Sequence, residues 1–189
     1  MKLLHKIYRI AKRLFILDVN RLLVAEQIPF TAGEFEYRAI DRAEHIALSK
    51  DESLGLDIEM ASRLEQGLDY CFVAFQQDRV AGYCWVALQN IEAEHNRGDH
   101  PLTGVAMSFP ANTAFIYKAF TNPEFRGQSV FPRLLGFSAR HLKSREINVF
   151  VSTTDWTNAA ALRAFVKSGF DDVGPVSYTH LTLPTTPYV

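Results

Sequence analysis

Ile116-Tyr117-Lys118-Ala119-Phe120-Thr121-Asn122-Pro123-Glu124-Phe125-Arg126-Gly127-Gln128-Ser129-Val130-Phe131 is the stretch that decides the fold. Its first part closes a strand running from Thr113 to Thr121, and Asn122-Pro123-Glu124 breaks that strand. Gly127-Gln128 then leads into an amphipathic helix with Phe131, Leu134, Leu135 and Leu142 on one stripe. Pro132 falls in the first helical turn, where a missing N–H costs little. A strand that runs through a short turn into a helix start presents unpaired amides carrying roughly half a positive charge, well suited to a phosphate. Gly127 lets the backbone approach an anion closely. On these residues alone, an anion site and an ordinary strand-to-helix turn both stand.

Downstream, Ile147 to Val151 predicts another strand and Asn158 to Ser168 a helix with Ala161, Leu162, Phe165 and Val166 facing inward. Gly169 ends that helix in the manner of a left-handed cap, and Phe170 to Val173 opens a further strand. Upstream, Phe35 to Ile40 alternates as a strand, Asp41 caps a helix to about Ser49, and Asp57 to Gln66 is a second helix ended near Gly67. Tyr70 to Phe75 and Val80 to Leu88, separated by Gln76 to Arg79, make a β-hairpin. Gln89 to Asn112 is a long polar connection holding His95, Asp99 and His100. Such loop histidines are solvated far more often than metal-bound, so no metal is expected. This mixed order of strands and helices is that of an α+β or α/β layered domain.

The chain has 189 residues, 48% hydrophobic and 22% charged, with a net charge of -1. That is an ordinary globular composition, long enough to bury a sizeable core, and nothing in it favours nucleic acid. Cys71 and Cys84 lie in neighbouring apolar runs without metal spacing and read as buried thiols in a reducing cytoplasm. No apolar stretch approaches the ~20 residues needed to span a bilayer. Residues 1–30 read as a basic amphipathic helix and linker. Leu3, Ile7, Ile10, Ala11, Leu14 and Phe15 recur at helical spacing, with Lys2, Lys6, Arg9, Lys12 and Arg13 between them. Such a helix packs on the domain or a second subunit, giving a homodimer, or rests on an anionic membrane surface as a peripheral contact.

The stretch from Ile116 to Phe131 resembles the pyrophosphate-binding motif of the GNAT superfamily, roughly strand-x-P-x-[FY]-R-G-x-G-x-[GA]. Asn158-x-x-Ala161-x-x-x-Phe165-x-x-x-Gly169-Phe170 is similar to that family's second signature. The resemblance covers roughly residues 35 to 175, within a domain expected at residues 31–175. It implies a three-layer α/β/α fold, with a mixed, mostly antiparallel central sheet and helices on both faces. It also implies an N-acyltransferase that takes acetyl-CoA or another acyl-CoA as co-substrate. The acceptor would be the amine of a small molecule or peptide. The amides of Arg126, Gly127, Gln128, Ser129, Val130 and Phe131 would cradle the coenzyme A pyrophosphate. Ala119, Phe120 and Thr121 would pair with the pantetheine arm, and Asn158 and Phe165 would line the far side of the groove. Three departures stand out: Ser129 replaces a usual glycine, Phe131 a small residue, and Phe165 a tyrosine that protonates the leaving thiolate in many members. The same fold without activity would be an acyl-CoA-binding or interaction module.

Amine activation sets the chemical demand. An alkylamine of pKa ~10.4 is neutral in about one molecule in a thousand at pH 7, a cost of roughly 4–5 kcal/mol. A thiol of pKa ~8.5 costs only about 2 kcal/mol to leave as thiolate there, so a missing acid is survivable. Tyr117, two residues before the acyl position, and Asp155, after the neighbouring strand, are the candidate bases, acting through a water. Trp156 would border the acceptor cleft. Finally, residues 176–185 (Val-Ser-Tyr-Thr-His-Leu-Thr-Leu-Pro-Thr) resemble the in-frame translation of a sequencing-library transposase adapter. That resemblance implies a metagenomic fragment in which residues 176–189 are a non-native tail and the domain is C-terminally truncated. Valine, tyrosine, threonine and leucine favour strands whatever their origin.

Overall fold

A computed structural model describes residues 4–8, 17–96 and 101–179. Nine strands occur among them: β1 Leu17–Ala25, β2 Glu36–Ile40, β3 Asp69–Gln76, β4 Arg79–Ala87, β5 Asn90–Ile91, β6 Met107–Ser108, β7 Thr113–Thr121, β8 Val149–Asp155 and β9 Asp171–Thr179. The helices are α1 Arg42–Leu48, α2 Ala61–Glu65, α3 Val130–Leu142 and α4 Ala159–Lys167, besides a helical turn at residues 4–8. Seven strands form one sheet in the order β2-β3-β4-β7-β8-β1-β9, while β5 and β6 make a small separate ladder. Only β7 and β8 run parallel; the other neighbours are antiparallel.

The layers follow from strand alternation, because successive side chains point to opposite faces. On β3, Cys71, Val73 and Phe75 pack with Ile40, Leu54, Leu56 and Met60, beneath α1 and α2. Phe72 and Ala74, one residue out of phase, pack with Leu134, Leu135, Leu142 and Phe165 of α3 and α4. The result is the expected three-layer α+β architecture. α1 starts where Asp41 accepts from Glu44 N–H, and Glu44 returns the bond to Asp41 N–H, a reciprocal cap. Asp57 to Gln66 divides into a 3-10 turn, Ile58–Met60, followed by α2. The hairpin of β3 and β4 turns at residues 77–78.

One expectation needs correction. Residues 17–25, assigned above to a helix and linker, form β1, which inserts between β8 and β9 and pairs with both. Leu23 and Ala25 are buried there, and Arg21 binds Asp172 of β9 with two 2.8 Å hydrogen bonds. The open edges of β8 and β9 offer ladder hydrogen bonds that a helix could not use. Apolar runs of this length carry no periodicity that separates strand from helix. Of the basic helix itself, only residues 4–8 are described; the rest of its apolar stripe lies outside the described residues. Tyr8 is buried, while Leu4 and Ile7 are exposed. Val166 is also exposed rather than inward, because the buried stripe of α4 is centred on Phe165.

β9 continues to Thr179, and Val176 and Ser177 pair with β1; residues 180–189 lie outside the described residues. Strand formation here follows from composition and says nothing of origin. Cys71 and Cys84 are buried and unbridged. No described helix is long and apolar enough to cross a membrane.

Candidate active site

β7 and β8 pair in register from Thr113↔Val149 to Ile116↔Ser152 and no further. Ser152 Oγ donates to Ile116 O at 2.8 Å at this last rung. Beyond it the strands diverge, and Tyr117 to Thr121 lose their partner on that side. A parallel pair that splays leaves backbone groups on both inner edges free for an extended ligand. The gap widens into a cavity of about 790 Å³ between β7, β8, α3 and α4.

At one end lies the turn from Arg126 to Ser129. Gly127 has φ +82° and Ser129 φ +59°, both left-handed. Two such residues curl the chain so that its amides converge. The N–H groups of Gly127, Ser129, Val130 and Phe131 find no acceptor among the described residues, as expected of a first helical turn. Gln128 N–H is spent on Phe125 O at 3.4 Å. Arg126, Arg163 and Lys167 stand around this end, and Lys167 Nζ donates to Ser129 Oγ at 3.1 Å. Glu124 is paired with Arg79. Three cations and four amides without acceptors among the described residues give this end a positive character that suits an anion.

The predicted residues mostly converge. Ala119, Phe120, Thr121, Arg126, Gly127, Ser129, Val130, Phe131, Asn158 and Phe165 all border the cavity; Gln128 does not. Ser129 adopts the backbone form that glycine usually supplies, so that departure leaves the turn intact. Phe131 does not wall the cavity off. Its ring turns onto Phe165, centroids 5.1 Å apart and edge to face, and forms wall. Phe165 is buried and has no proton to give. Asn158 caps α4, accepting from Ala161 N–H at 3.1 Å.

The two candidate bases separate. Tyr117 is in the cavity wall, its hydroxyl 2.7 Å from Asp69 Oδ2. Burial, with the Asp69 carboxylate next, pushes its pKa well up, so the phenol stays protonated. Asp155 is outside the wall: its Oδ1 accepts from Thr157 N–H at 2.8 Å and Thr157 Oγ1 at 2.6 Å, and its Oδ2 accepts from Tyr8 at 3.4 Å. Trp156, expected at the acceptor cleft, packs on His5 and Tyr8 instead. His95 sits against Glu94, Asp99 and His100 lie outside the described residues, and no metal-holding cluster occurs among the described ones. Sequence reading missed Lys118, the Ser152-Thr153-Thr154 wall and Lys167. The polar run at the end of an otherwise apolar strand was the available signal for Ser152 to Thr154.

The acetyltransferase (GNAT) family model matches residues 35–170. The chain belongs to that family. No curated protein matches it. Among solved structures it is similar to a GNAT-family protein of Novosphingobium aromaticivorans, at 18% identity and a TM-score of 0.58, over 86% of this chain and 63% of that one. A GNAT-family acetyltransferase from Colwellia psychrerythraea gives 13% identity and a TM-score of 0.57, over 85% and 55%. The chain thus spans less than two thirds of these two proteins. The aminoglycoside N-acetyltransferase AAC(6')-Iy in complex with CoA gives 14% and 0.53, over 78% and 96%. At these identities the likeness is one of fold.

Proposed function

We propose that this GNAT domain transfers an acyl group, acetyl being the simplest, from acyl-CoA to the amine of a small molecule or peptide. The carrying observation is the divergence of β7 from β8 past Ile116 and Ser152, which opens a cavity with an anion-binding turn at its end. The turn from Arg126 to Phe131 would hold the pyrophosphate and the freed edge of β7 at Ala119 to Thr121 the pantetheine arm. The thioester would then lie beside Tyr117 to Phe120. The CoA complex of the fold relative AAC(6')-Iy supports this co-substrate.

The reaction needs no covalent enzyme intermediate. The amine lone pair attacks the thioester carbon, a C–N bond forms and the C–S bond breaks. CoA leaves as thiolate, and the amine gives up one proton to solvent water. A backbone N–H near Ala119 or Phe120 polarises the carbonyl, a contribution of about 3–4 kcal/mol for one such donor. Of the two candidate bases, Tyr117 borders the cavity but keeps its phenol proton, and Asp155 is held by Thr157 and Tyr8, so neither serves as the direct base. No metal has a role in these steps.

Thermal-shift titration with acetyl-CoA tests the reading. Stabilisation by RT ln(1 + [L]/Kd) is expected, and no shift with any short acyl-CoA overturns it. The alternative, a non-catalytic acyl-CoA-binding module, draws on the absence of a hydroxyl at Phe165 and predicts binding without CoA release across an amine panel. Residues 176–189 we read as adapter-derived. Re-amplification of the locus, returning native sequence for them, would refute this.

A further inference from the structure

The segment between β1 and β2 runs across α3 and borders a second, smaller cavity. A Cβ on Gly136 would meet the Pro29 carbonyl, and one on Gly33 would stand 2.5 Å from Arg133 Nη1, so the segment lies directly on the helix. The cavity has a volume of about 230 Å³. It is lined by Pro29 and Thr31 of this segment, by Ser129, Pro132 and Arg133 at the start of α3, and by Lys167 and Ser168 at the end of α4. Ser129 and Lys167, joined by their hydrogen bond, border the large cavity as well. The two cavities therefore meet at the turn from Arg126 to Ser129.

The charge in the small cavity is of one sign. Arg133 and Lys167 line it, and no carboxylate does. Helix side chains lean toward the N-terminus, and Arg133 does so, with Nη1 3.5 Å from Gln128 O. The groups against its guanidinium are neutral: Gly33, the Gln128 carbonyl and the Tyr37 phenol, whose pKa burial raises. Among the described residues no carboxylate pairs with Arg133. A guanidinium carries five N–H donors in a fixed fork, so donors remain for an oxyanion. The volume is below the roughly 300–1,000 Å³ of sites that enclose a whole ligand. It suits one terminal group of a ligand rather than an entire nucleotide.

Building on the acyl-CoA reading, we infer that this cavity takes the 3'-phosphate of coenzyme A, and that Arg133 is the residue that selects for it. With the pyrophosphate on the turn and the pantetheine arm along β7, the nucleotide leaves the turn on its other side. A single ribose then separates the 3'-phosphate from the pyrophosphate. Arg133 stands four residues past Ser129, about 6 Å along α3, and its head reaches back toward the turn. A phosphate monoester carries roughly −1.5 to −2 charge at pH 7, and a guanidinium fork gives it charge-assisted hydrogen bonds. The same ligand ending in a 3'-hydroxyl would leave Arg133 and Lys167 without that partner.

Calorimetry on the full chain tests this with CoA and 3'-dephospho-CoA, which differ by that phosphate alone. Wild type should prefer CoA by about tenfold or more, the scale of a hydrogen bond to a charged group. Arg133→Gln should bring the two affinities to within about twofold of each other. Its affinity for 3'-dephospho-CoA should stay within about twofold of wild type, whereas damage to the turn would weaken both ligands alike. Should Arg133→Gln fail to fold, wild type carries the test, because its preference should fall as salt is raised. Equal affinities in wild type, a preference unmoved by Arg133→Gln, or a preference independent of salt overturns the assignment alone. Binding of neither compound overturns the acyl-CoA reading with it.

Discussion

Lys167 Nζ, at the last turn of α4, donates to Ser129 Oγ at 3.1 Å, bridging the two helices that flank the cavity mouth. The bond reaches the one residue of the turn from Arg126 to Ser129 that holds a left-handed backbone without being glycine. Ser129→Gly removes the Cβ strain, a left-handed residue costing roughly 1–2 kcal/mol, against a glycine entropy cost of about 0.5–1 kcal/mol. The expected net is a gain of up to about 1 kcal/mol in urea unfolding, with CoA affinity retained. Ser129→Val, β-branched at a positive φ, should lose both stability and binding.

Lys167 also lines the anion end, with Arg126 and Arg163. Lys167→Met should weaken CoA binding roughly two- to fivefold at low salt, the scale of an exposed charge contact. The deficit should shrink as salt is raised, because screening removes what the substitution removes. Titrations of both proteins at two ionic strengths check this; a deficit independent of salt would point to packing instead.

Gly136, in the middle of α3, is set by contact rather than by backbone angle. A Cβ there would stand 2.4 Å from the Pro29 carbonyl oxygen and 2.8 Å from Phe30 Cα, so α3 lies directly against the segment after β1. Neither neighbour is a flexible side-chain end. Gly136→Ala, normally favourable in a helix by about 1 kcal/mol, should instead destabilise by roughly 1–3 kcal/mol. Chemical denaturation of the variant measures the sign.

The turn from Arg126 to Ser129 and the helix start after it were readable because their signals are local: glycine, a helix start and Pro132 fall within a few residues. The strands β2, β3, β4, β7 and β8 were readable because each alternates or is bounded by turn residues, whereas the short β5 and β6 fell inside the stretch from Gln89 to Asn112 read as a polar connection. What escaped was non-local. β1 owes its state to two partners more than 120 residues away, at Asp155 and Asp171 and beyond. Its own residues favour no period. Asp69 and Arg63 are six residues apart and gave no signal, since only the β4–β7 bulge brings Tyr117 to them. Asp155 looked catalytic by position, and the turn it makes with Thr157 became visible only in three dimensions.

Cys84 contacts Ser138 Oγ at 3.5 Å within the core, and burial pushes its thiol up to about 12; Cys71 is raised in the same direction by burial. Thiolate is the reactive species, so both should resist a disulfide reagent at pH 8 in the native protein. Both should titrate at once on unfolding in urea. Fast labelling of either thiol in the folded protein would contradict their placement.

Acid should destabilise the fold through His45. The ring is fully buried, lies edge-on to Trp85 with centroids 5.1 Å apart, and has no hydrogen-bond partner at either nitrogen among the described residues. Burial chiefly, and the nearby Lys118 charge, hold its pKa below the ordinary 6.5. His141 is lowered likewise, by burial and Arg145. Unfolded chains then bind more protons than folded ones at mildly acid pH, and stability rises with pH wherever that holds. The contribution is complete above pH 6.5 and is lost as pH falls through 6.5 toward the folded values. Urea midpoints measured from pH 7.5 to 5 should therefore fall, and His45→Phe should flatten that slope, with only the His141 share remaining. An unchanged slope in His45→Phe would mean that the imidazole has a water or ligand partner in solution that accommodates its charge.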